Sequence, residues 1–207
     1  MTQDAAAAAE APAHRWEPLS LDEVRQTFAG VEAPWWIAGG WALDLFIGHE
    51  TRSHVDTDVA ILRRDQHLFR ERLGSWDVRI AHEGELLPWP AKERITKSEH
   101  HEAWARPSPD GPWRVELLLE ESDGKRWSYR RDARIGLHVA DLGRRDASGI
   151  PYVRPEVVLL YKSKGSRPVD ETDLLYALPR LDPAQRGWLY AALYTIDPAH
   201  RWLARLK

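Results

Sequence analysis

The sequence predicts an α+β fold, with a mixed region of strands and helices in front and an all-helical region behind it. Up to about residue 153, short apolar runs typical of strands recur between helical patterns, whereas prolines open a series of helical patterns after residue 154. The chain has 207 residues, of which 43% are hydrophobic and 29% charged, as in globular proteins of one ordinary domain or two small ones. We therefore predict a disordered arm over residues 1–14, a front domain over 15–153 and a C-terminal helical domain over 154–207.

The composition excludes several classes of protein. The chain contains no cysteine, which rules out disulfides, thiolate metal sites and a cysteine nucleophile. No apolar run approaches the roughly 20 residues of a membrane-spanning helix, and the alanine-rich start lacks the features of a signal peptide. A cytoplasmic protein with no membrane partner is expected. A net charge of −3 argues against a general nucleic-acid binder, which would usually be basic.

The front region begins with a clear helix signal. Ser20 and Glu23 form a capping box, which predicts a helix over residues 21–28. Apolar runs bounded by turn residues then predict the strands of the front. The predicted strands are 34–38, 55–62, 76–82, 100–105 and 113–121, with a hairpin return at 126–130 and weaker strands at 137–142 and 150–153; the predicted helices are 41–48 and 66–73, the second capped by Asp65.

The back region is predicted from prolines that follow capping residues. Pro155 occupies the first position of a helix, where a missing N–H costs nothing. Asp182 and Asp197, each followed by proline, open two further helices in the same way. The predicted helices after the first cover residues 170–178, 184–195 and 199–206.

Asp56 and Asp58 are the most informative pair in the sequence. Residues two apart in a strand share a face, so both carboxylates project together from the predicted strand. Unpaired, they would repel each other, and a divalent cation removes that conflict because Mg²⁺ binds carboxylates together with substrate phosphates. A solvated strand face is the alternative, since short motifs often match by chance.

Gly39 and Gly40 lie between a predicted strand and a predicted helix. Glycines there let a phosphate approach the backbone, and the helix N-terminus offers unpaired N–H groups. An ordinary tight turn is the alternative. Arg52 and His54 lead directly into the acidic strand, where a cation would contact a triphosphate or orient Asp56.

Residues 35–65 resemble the antibiotic nucleotidyltransferases, most closely the aminoglycoside 2''-adenylyltransferase and lincosamide nucleotidyltransferase group. The stretch reads WWIAGGWALDLFIGHETRSHVDTDVAILRRD, in which a G-G-W-x-x-D helix precedes T-R-x-H-x-D-x-D. The wider superfamily shares the minimal fold of DNA polymerase beta. A looser resemblance to the helical back domain of the family begins at Arg154, with RPEVVLLYKSKGSRPVDETDLLYALPRL.

The resemblance implies transfer of a nucleoside monophosphate from a Mg²⁺-bound nucleoside triphosphate, expected to be ATP, to a hydroxyl of a small-molecule acceptor. Asp56 and Asp58 would hold the metals, two ions being expected. The nucleotide would contact Gly39, Gly40, Arg52, His54 and Lys162. Trp41 stands where the superfamily often has a serine that touches a phosphate, so that contact is absent or comes from elsewhere.

The resemblance also implies a third carboxylate on a later strand, acting as metal ligand, general base or both. Glu116 and Glu120 alternate onto one face of the strand predicted at 113–121, and Glu116 fits the family position better. Glu120 remains the second choice. Asp170, Glu171 and Asp173 match a charged stretch of the family and are expected to form caps and surface ion pairs.

Two further interpretations remain open. One is a nucleotidyltransferase that acts on RNA, in the manner of a toxin that blocks tRNA, although the acidic balance argues against it. The other is a protein without catalytic activity that binds nucleotides or small molecules on the same scaffold. Intact Asp56 and Asp58 argue against this interpretation because unused buried carboxylates are costly.

Overall fold

The computed structural model describes residues 15–165 and 167–207, and the predicted arm 1–14 lies outside them. Seven α-helices and ten strands fall within the described residues. The strands are β1 (Trp35–Ile37), β2 (Asp58–Leu62), β3 (Asp77–His82), β4 (Glu85–Pro88), β5 (Glu102–Arg106), β6 (Val115–Ser122), β7 (Arg126–Ser128), β8 (Gly136–His138), β9 (Gly143–Arg145) and β10 (Pro151–Val153). The helices are α1 (Leu21–Thr27), α2 (Gly39–Ile47), α3 (Gln66–Leu73), α4 (Pro155–Lys162), α5 (Pro168–Ala177), α6 (Pro183–Ile196) and α7 (Leu203–Leu206).

The strands form one mixed sheet in the order β4-β3-β5-β6-β2-β1-β10-β9, with β7 and β8 extending from β6. The pairs β2–β6 and β1–β10 are parallel, and the other pairs are antiparallel. β2 lies at the centre, and its residues 59–62 are fully buried, as expected for a strand covered on both faces. The predicted α+β fold, with helices gathered in the C-terminal part, is confirmed.

Helix ends with strong signals lie where the sequence predicts them. Ser20 and Glu23 form both bonds of the capping box at α1, and Asp182 forms an equivalent box with Gln185 at α6. Pro155 is the first residue of α4. One continuous hydrophobic core joins the sheet to α4, α5 and α6. The division into a front domain and a helical domain at residue 154 stays a prediction.

Four local predictions are wrong. The strand predicted at 137–142 ends at His138, and a 3₁₀ turn over Val139–Asp141 follows it. Residues 55–57 lie outside the strand, which starts at Asp58, and the Val55 side chain is 76% exposed. Asp65 does not cap α3, because a 3₁₀ turn precedes the helix and the Asp65 carboxylate pairs with Arg64 instead. Asp197 accepts a bond from the Ala199 N–H, but only turns follow until α7 begins at Leu203.

No helix among the described residues combines the length and the apolar character needed to cross a lipid bilayer.

Candidate active site

The sheet brings three carboxylates together beside the start of α2. Asp58 is the first residue of β2 and pairs in parallel register with Glu116 of β6. Asp56 precedes the strand by two residues, and the buried Thr57 between them points away, its hydroxyl donating to the Leu19 carbonyl at 2.8 Å. One carboxylate oxygen from each of Asp56, Asp58 and Glu116 lies within 4.8 Å of the other two. The predicted metal ligands are therefore neighbours.

The three carboxylates destabilise one another in the absence of a cation. Burial, together with the charge of Asp56, raises the pKa of Asp58 to about 7. Burial and the negative charge of Asp58 likewise raise the pKa of Glu116 well above its ordinary value. A divalent cation such as Mg²⁺ prefers oxygen ligands and would neutralise the repulsion among these three carboxylates. No other group of three or more metal-binding side chains is found in the described part of the chain.

The raised pKa of Asp58 predicts an unusual pH dependence of stability. Between about pH 4 and pH 7 the folded protein keeps a proton on Asp58 that the unfolded chain has lost. The free energy of unfolding of the metal-free protein should therefore decrease as pH rises through this window. Urea denaturation in EDTA at several pH values measures the slope. The variant Asp58→Asn should show a smaller decrease, and an equal decrease would contradict the assignment to this carboxyl.

Gly39 makes room for the carboxylate of Asp58. A Cβ atom built on Gly39 would overlap Oδ2 of Asp58, and the residue has a φ of +57°, which favours glycine. The backbone N–H of Ala38, at the N-cap of α2, donates to the Asp58 carbonyl at 2.9 Å. The glycine thus allows the N-terminus of α2 to approach the carboxylate cluster.

Gly40 makes room for two side chains. A Cβ atom on Gly40 would lie 2.5 Å from Nη2 of Arg52 and 2.5 Å from the His54 ring. The glycine pair therefore serves close packing around the cluster, in addition to any contact with a phosphate. The predicted nucleotide contacts of both glycines stay predictions.

His54 and Arg52 are held by carboxylates of the protein. His54 Nε2 lies 2.6 Å from Oδ2 of Asp44, and the ring of Trp41 packs against His54 with centroids 4.3 Å apart. Asp44 also accepts from the hydroxyl of Thr51 at 2.6 Å. Asp44 is the aspartate of the G-G-W-x-x-D pattern. Its contacts with Thr51 and His54 therefore give this position of the pattern a structural role. Trp41 fixes His54 instead of offering a hydroxyl to a phosphate.

A cavity of about 290 Å³ lies over the cluster. Its carboxylate side includes Asp56, Asp58 and Glu116, while Lys162, at the end of α4, contributes a positive charge. Lys162 lies 2.8 Å from Oδ2 of Asp173 and lowers the pKa of Asp58 through its charge, although burial dominates that pKa. The cavity therefore combines carboxylates arranged as candidate metal ligands with cations suited to phosphates. Its further charged or polar lining residues are His101, Glu102, Glu120, Arg130, Arg131, Tyr161 and Arg167.

Arg130 and Arg131 are cavity residues that the sequence does not reveal. Both lie in the connection between β7 and β8, and both guanidinium groups lie over the ring of Tyr161, 5.7 Å and 5.5 Å from its centroid. Arg131 also donates to the hydroxyl of Tyr129 at 3.1 Å. No sequence motif links this loop to Asp56 and Asp58. The loop reaches them only because β7 folds back against β6.

Glu120 has a different environment from Glu116. Its carboxylate accepts from Trp127 Nε1 at 2.6 Å and from the Tyr161 hydroxyl at 2.7 Å. Burial raises the pKa of Glu120, and the two donors partly offset this effect. Glu120 lies outside the metal-binding group. The geometry therefore favours Glu116 as the third carboxylate and gives Glu120 the task of joining α4 to the sheet.

Asp170 and Asp173 differ from the expectation of surface ion pairs. They do form ion pairs, but their side chains are only 1% and 3% exposed. Asp170 binds Arg167, and Asp173 binds Arg52 in a two-point contact. The sequence misses the burial of Asp173 because one of its partners, Arg52, lies 121 residues away along the chain.

Comparisons with known proteins agree with this geometry. Residues 20–87, about a third of the chain, match the aminoglycoside-2''-adenylyltransferase family. The lincosamide antibiotic adenylyltransferase LnuA, solved with lincomycin, has a TM-score of 0.55 at 13% identity, covering 81% of this chain and 100% of its own. ANT(2'')-Ia in complex with adenylyl-2''-tobramycin has a TM-score of 0.52 at 16% identity, covering 85% and 98%. No curated protein sequence matches significantly.

The predicted resemblance to this group is confirmed. The matched residues 20–87 include Asp56 and Asp58, whereas Glu116 lies beyond them. Residues 20–87 thus carry the sequence pattern of the aminoglycoside-2''-adenylyltransferase family, and the chain has the fold of the antibiotic adenylyltransferases.

Proposed function

We propose that this protein transfers a nucleoside monophosphate from a Mg²⁺-bound nucleoside triphosphate, expected to be ATP, to a hydroxyl of an aminoglycoside-like or lincosamide-like antibiotic. The observation that carries the proposal is the group formed by Asp56, Asp58 and Glu116 at the N-terminus of α2, with ligand atoms within 4.8 Å of one another. The activity would confer resistance, and a cytoplasmic location fits its substrates.

Asp56, Asp58 and Glu116 would hold two Mg²⁺ ions. When bound, the ions stabilise negative charge on the attacking and leaving oxygens of a phosphoryl displacement. The donor set fits, because oxygen ligands of like charge gain most from a divalent cation. The N–H groups at Gly39 and Gly40 would bind the triphosphate, with Arg52 and His54 supporting this end of the site through the contacts described above.

The chain's own groups then perform the transfer. Glu116 lines the cavity and accepts the proton of the acceptor hydroxyl as the general base. The hydroxyl oxygen forms a bond to the α-phosphorus as the bond from that phosphorus to the pyrophosphate oxygen breaks. Lys162 faces the cavity and stabilises the departing pyrophosphate.

Transfer is tested by incubating the protein with Mg²⁺, α-labelled ATP, GTP, CTP or UTP, and a panel of aminoglycosides and lincosamides. Mass spectrometry then identifies the modified hydroxyl. We expect a labelled antibiotic and released pyrophosphate. Labelling of total tRNA with no labelled antibiotic would contradict the small-molecule acceptor and favour the RNA alternative. NTP binding without transfer to any acceptor would favour a binding protein.

Glu116→Gln and Glu120→Gln form a matched pair for the third carboxylate. Both changes remove a charge and keep the shape, but only Glu116 belongs to the metal-binding group. We expect Glu116→Gln to lower kcat on the order of a hundredfold or more, as for loss of a general base. Glu120→Gln keeps an oxygen to accept from Trp127 and Tyr161 and should retain transfer within severalfold. The reverse result would assign the role to Glu120.

A further inference from the structure

Asp56 lies in residues 51–57, a segment that belongs to no helix or strand. The segment connects α2 to β2. The register of the sheet fixes Asp58 opposite Glu116, but no strand pairing fixes Asp56. On the C-terminal side of Asp56, the Thr57 carbonyl accepts from the Glu116 N–H at 2.9 Å. On its N-terminal side, the position of Asp56 depends on side-chain contacts made by residues 51–54.

Two helices hold the segment through buried carboxylates. On one side, Asp44 of α2 binds Thr51 and His54, as described above. On the other side, Asp173 of α5 accepts from Arg52 Nε at 2.8 Å and from Arg52 Nη2 at 3.1 Å. The second contact joins the segment to a helix of the C-terminal part, 121 residues further along the chain.

The contact between Arg52 and Asp173 has the features of a rigid clamp. Two parallel bonds between a guanidinium and a carboxylate fix direction as well as distance. The Asp173 side chain is 3% exposed, and Arg52 Nη1 also donates to the Ser53 carbonyl at 3.1 Å. Burial raises the pKa of Asp173, but its bonds to Arg52 and Lys162 outweigh this effect, so the pKa lies below its ordinary value. The carboxylate is therefore charged and committed to these partners.

Asp173 also holds Lys162, whose Nζ lies 2.8 Å from its Oδ2. One carboxylate thus contacts the segment that carries Asp56 and the cation that lines the cavity. Asp170, one turn earlier on α5, contacts Lys162 at 3.5 Å and pairs with Arg167, whereas Arg52 bonds to Asp173. Both buried aspartates therefore contact Lys162, but the two-point contact with Arg52 is made by Asp173.

We propose that Asp173 is a positioning residue, which holds Asp56 in place for metal binding through Arg52 and aligns Lys162 with the same site. The inference rests on the proposed function, which makes Asp56 a metal ligand. Asp173 itself belongs neither to the three carboxylates nor to the cavity lining. Loss of the clamp should weaken metal binding first, because Asp56 loses the part of its support that comes from α5, while Asp58 and Glu116 keep theirs from the sheet.

Asp173→Asn is tested against Asp170→Asn as the matched control. Binding of Mn²⁺, followed by electron paramagnetic resonance without nucleotide or acceptor, should weaken about tenfold to a hundredfold in Asp173→Asn, as for loss of a group that orients a metal ligand. Asp170→Asn should bind Mn²⁺ like the unmodified protein. Equal weakening in both variants, or unchanged binding in a folded Asp173→Asn, would overturn the inference.

Arg52→Lys tests the same clamp where Asp173→Asn fails to fold. A single ammonium does not reproduce the two-point contact, so Mn²⁺ binding should again weaken. In the double variant Arg52→Lys with Asp173→Asn, the loss should be no greater than in the more affected single variant, because both changes break one contact. Additive losses, or unchanged Mn²⁺ binding in Arg52→Lys, would overturn the inference.

Turnover provides a second measurement. We expect Asp173→Asn to raise the Mg²⁺ concentration that gives half-maximal transfer, whereas Asp170→Asn should chiefly raise the KM for the triphosphate through Lys162. Absence of transfer in the unmodified protein would refute the proposed function. The role of Asp173 could still be tested in that case, because the Mn²⁺ titration requires neither nucleotide nor acceptor.

Discussion

Asp58→Asn is expected to lower transfer on the order of a thousandfold while the fold remains intact. Asp58 belongs to the carboxylate group and lies opposite Glu116 in the sheet, so the change removes one metal ligand without altering shape. Metal ions contribute several kcal/mol to the stabilisation of a phosphoryl displacement, and each 1.36 kcal/mol or so corresponds to a factor of ten in rate. Initial rates with saturating Mg²⁺ and ATP measure the effect.

Thermal unfolding distinguishes this loss from damage to the fold. Mg²⁺ should raise the melting temperature of the unmodified protein, since a ligand that binds only the folded state stabilises it. It should raise that of Asp58→Asn much less. In EDTA at pH 8 the variant should be at least as stable as the unmodified protein, because it no longer buries a carboxylate beside two others. Transfer within tenfold of the unmodified rate would refute metal binding by Asp58.

Gly39→Ala is expected to lower both stability and activity. The new methyl group would overlap Oδ2 of Asp58, and a φ of +57° is unfavourable for alanine. Backbone strain costs on the order of 1–3 kcal/mol, and the displaced carboxylate leaves the metal-binding group. We expect a lower melting temperature, and a decrease in transfer of about a hundredfold, as for a small misplacement of catalytic groups.

Gly48→Ala is the matched control for this prediction. Gly48 ends the same helix with a φ of +91°, and nothing lies within 4 Å of a Cβ atom built there. The variant therefore carries the backbone strain without the clash and should lose stability of about 1 kcal/mol with transfer retained. If Gly39→Ala also retains full transfer, then Asp58 tolerates displacement and the close approach described above has no catalytic role.

The sequence predicts the fold best where local signals are strong. Ser20 with Glu23, and Pro155, mark helix starts whose physical basis lies within one turn of chain. Strands β4 and β9 were not predicted, since each is short and depends on pairing with a neighbouring strand. The run VDTDVAIL predicts a strand from Val55, but the strand starts at Asp58 and the Val55 side chain is 76% exposed.

The candidate site shows the same division between local and distant signals. Asp56 and Asp58 are two residues apart, so a strand-like alternation was enough to bring their carboxylates together in the prediction. Burial of Asp173 depends on Arg52, 121 residues away, and a single sequence gives no sign of such a pair. Arg130 and Arg131 reach the cavity only because β7 folds back against β6.

The parallel pairing of β2 with β6 has a consequence for how the protein acquires its activity. Asp58 and Glu116 become neighbours only when these two strands meet, and the chain between them must fold or loop out first. Contacts of such long sequence separation form late and slowly during folding. A nascent or truncated chain that ends before β6 therefore holds Asp56 and Asp58 but lacks Glu116, the third carboxylate of the candidate metal site. Insertions among β3, β4 and β5 leave this pairing untouched, because those strands lie on the far side of β6.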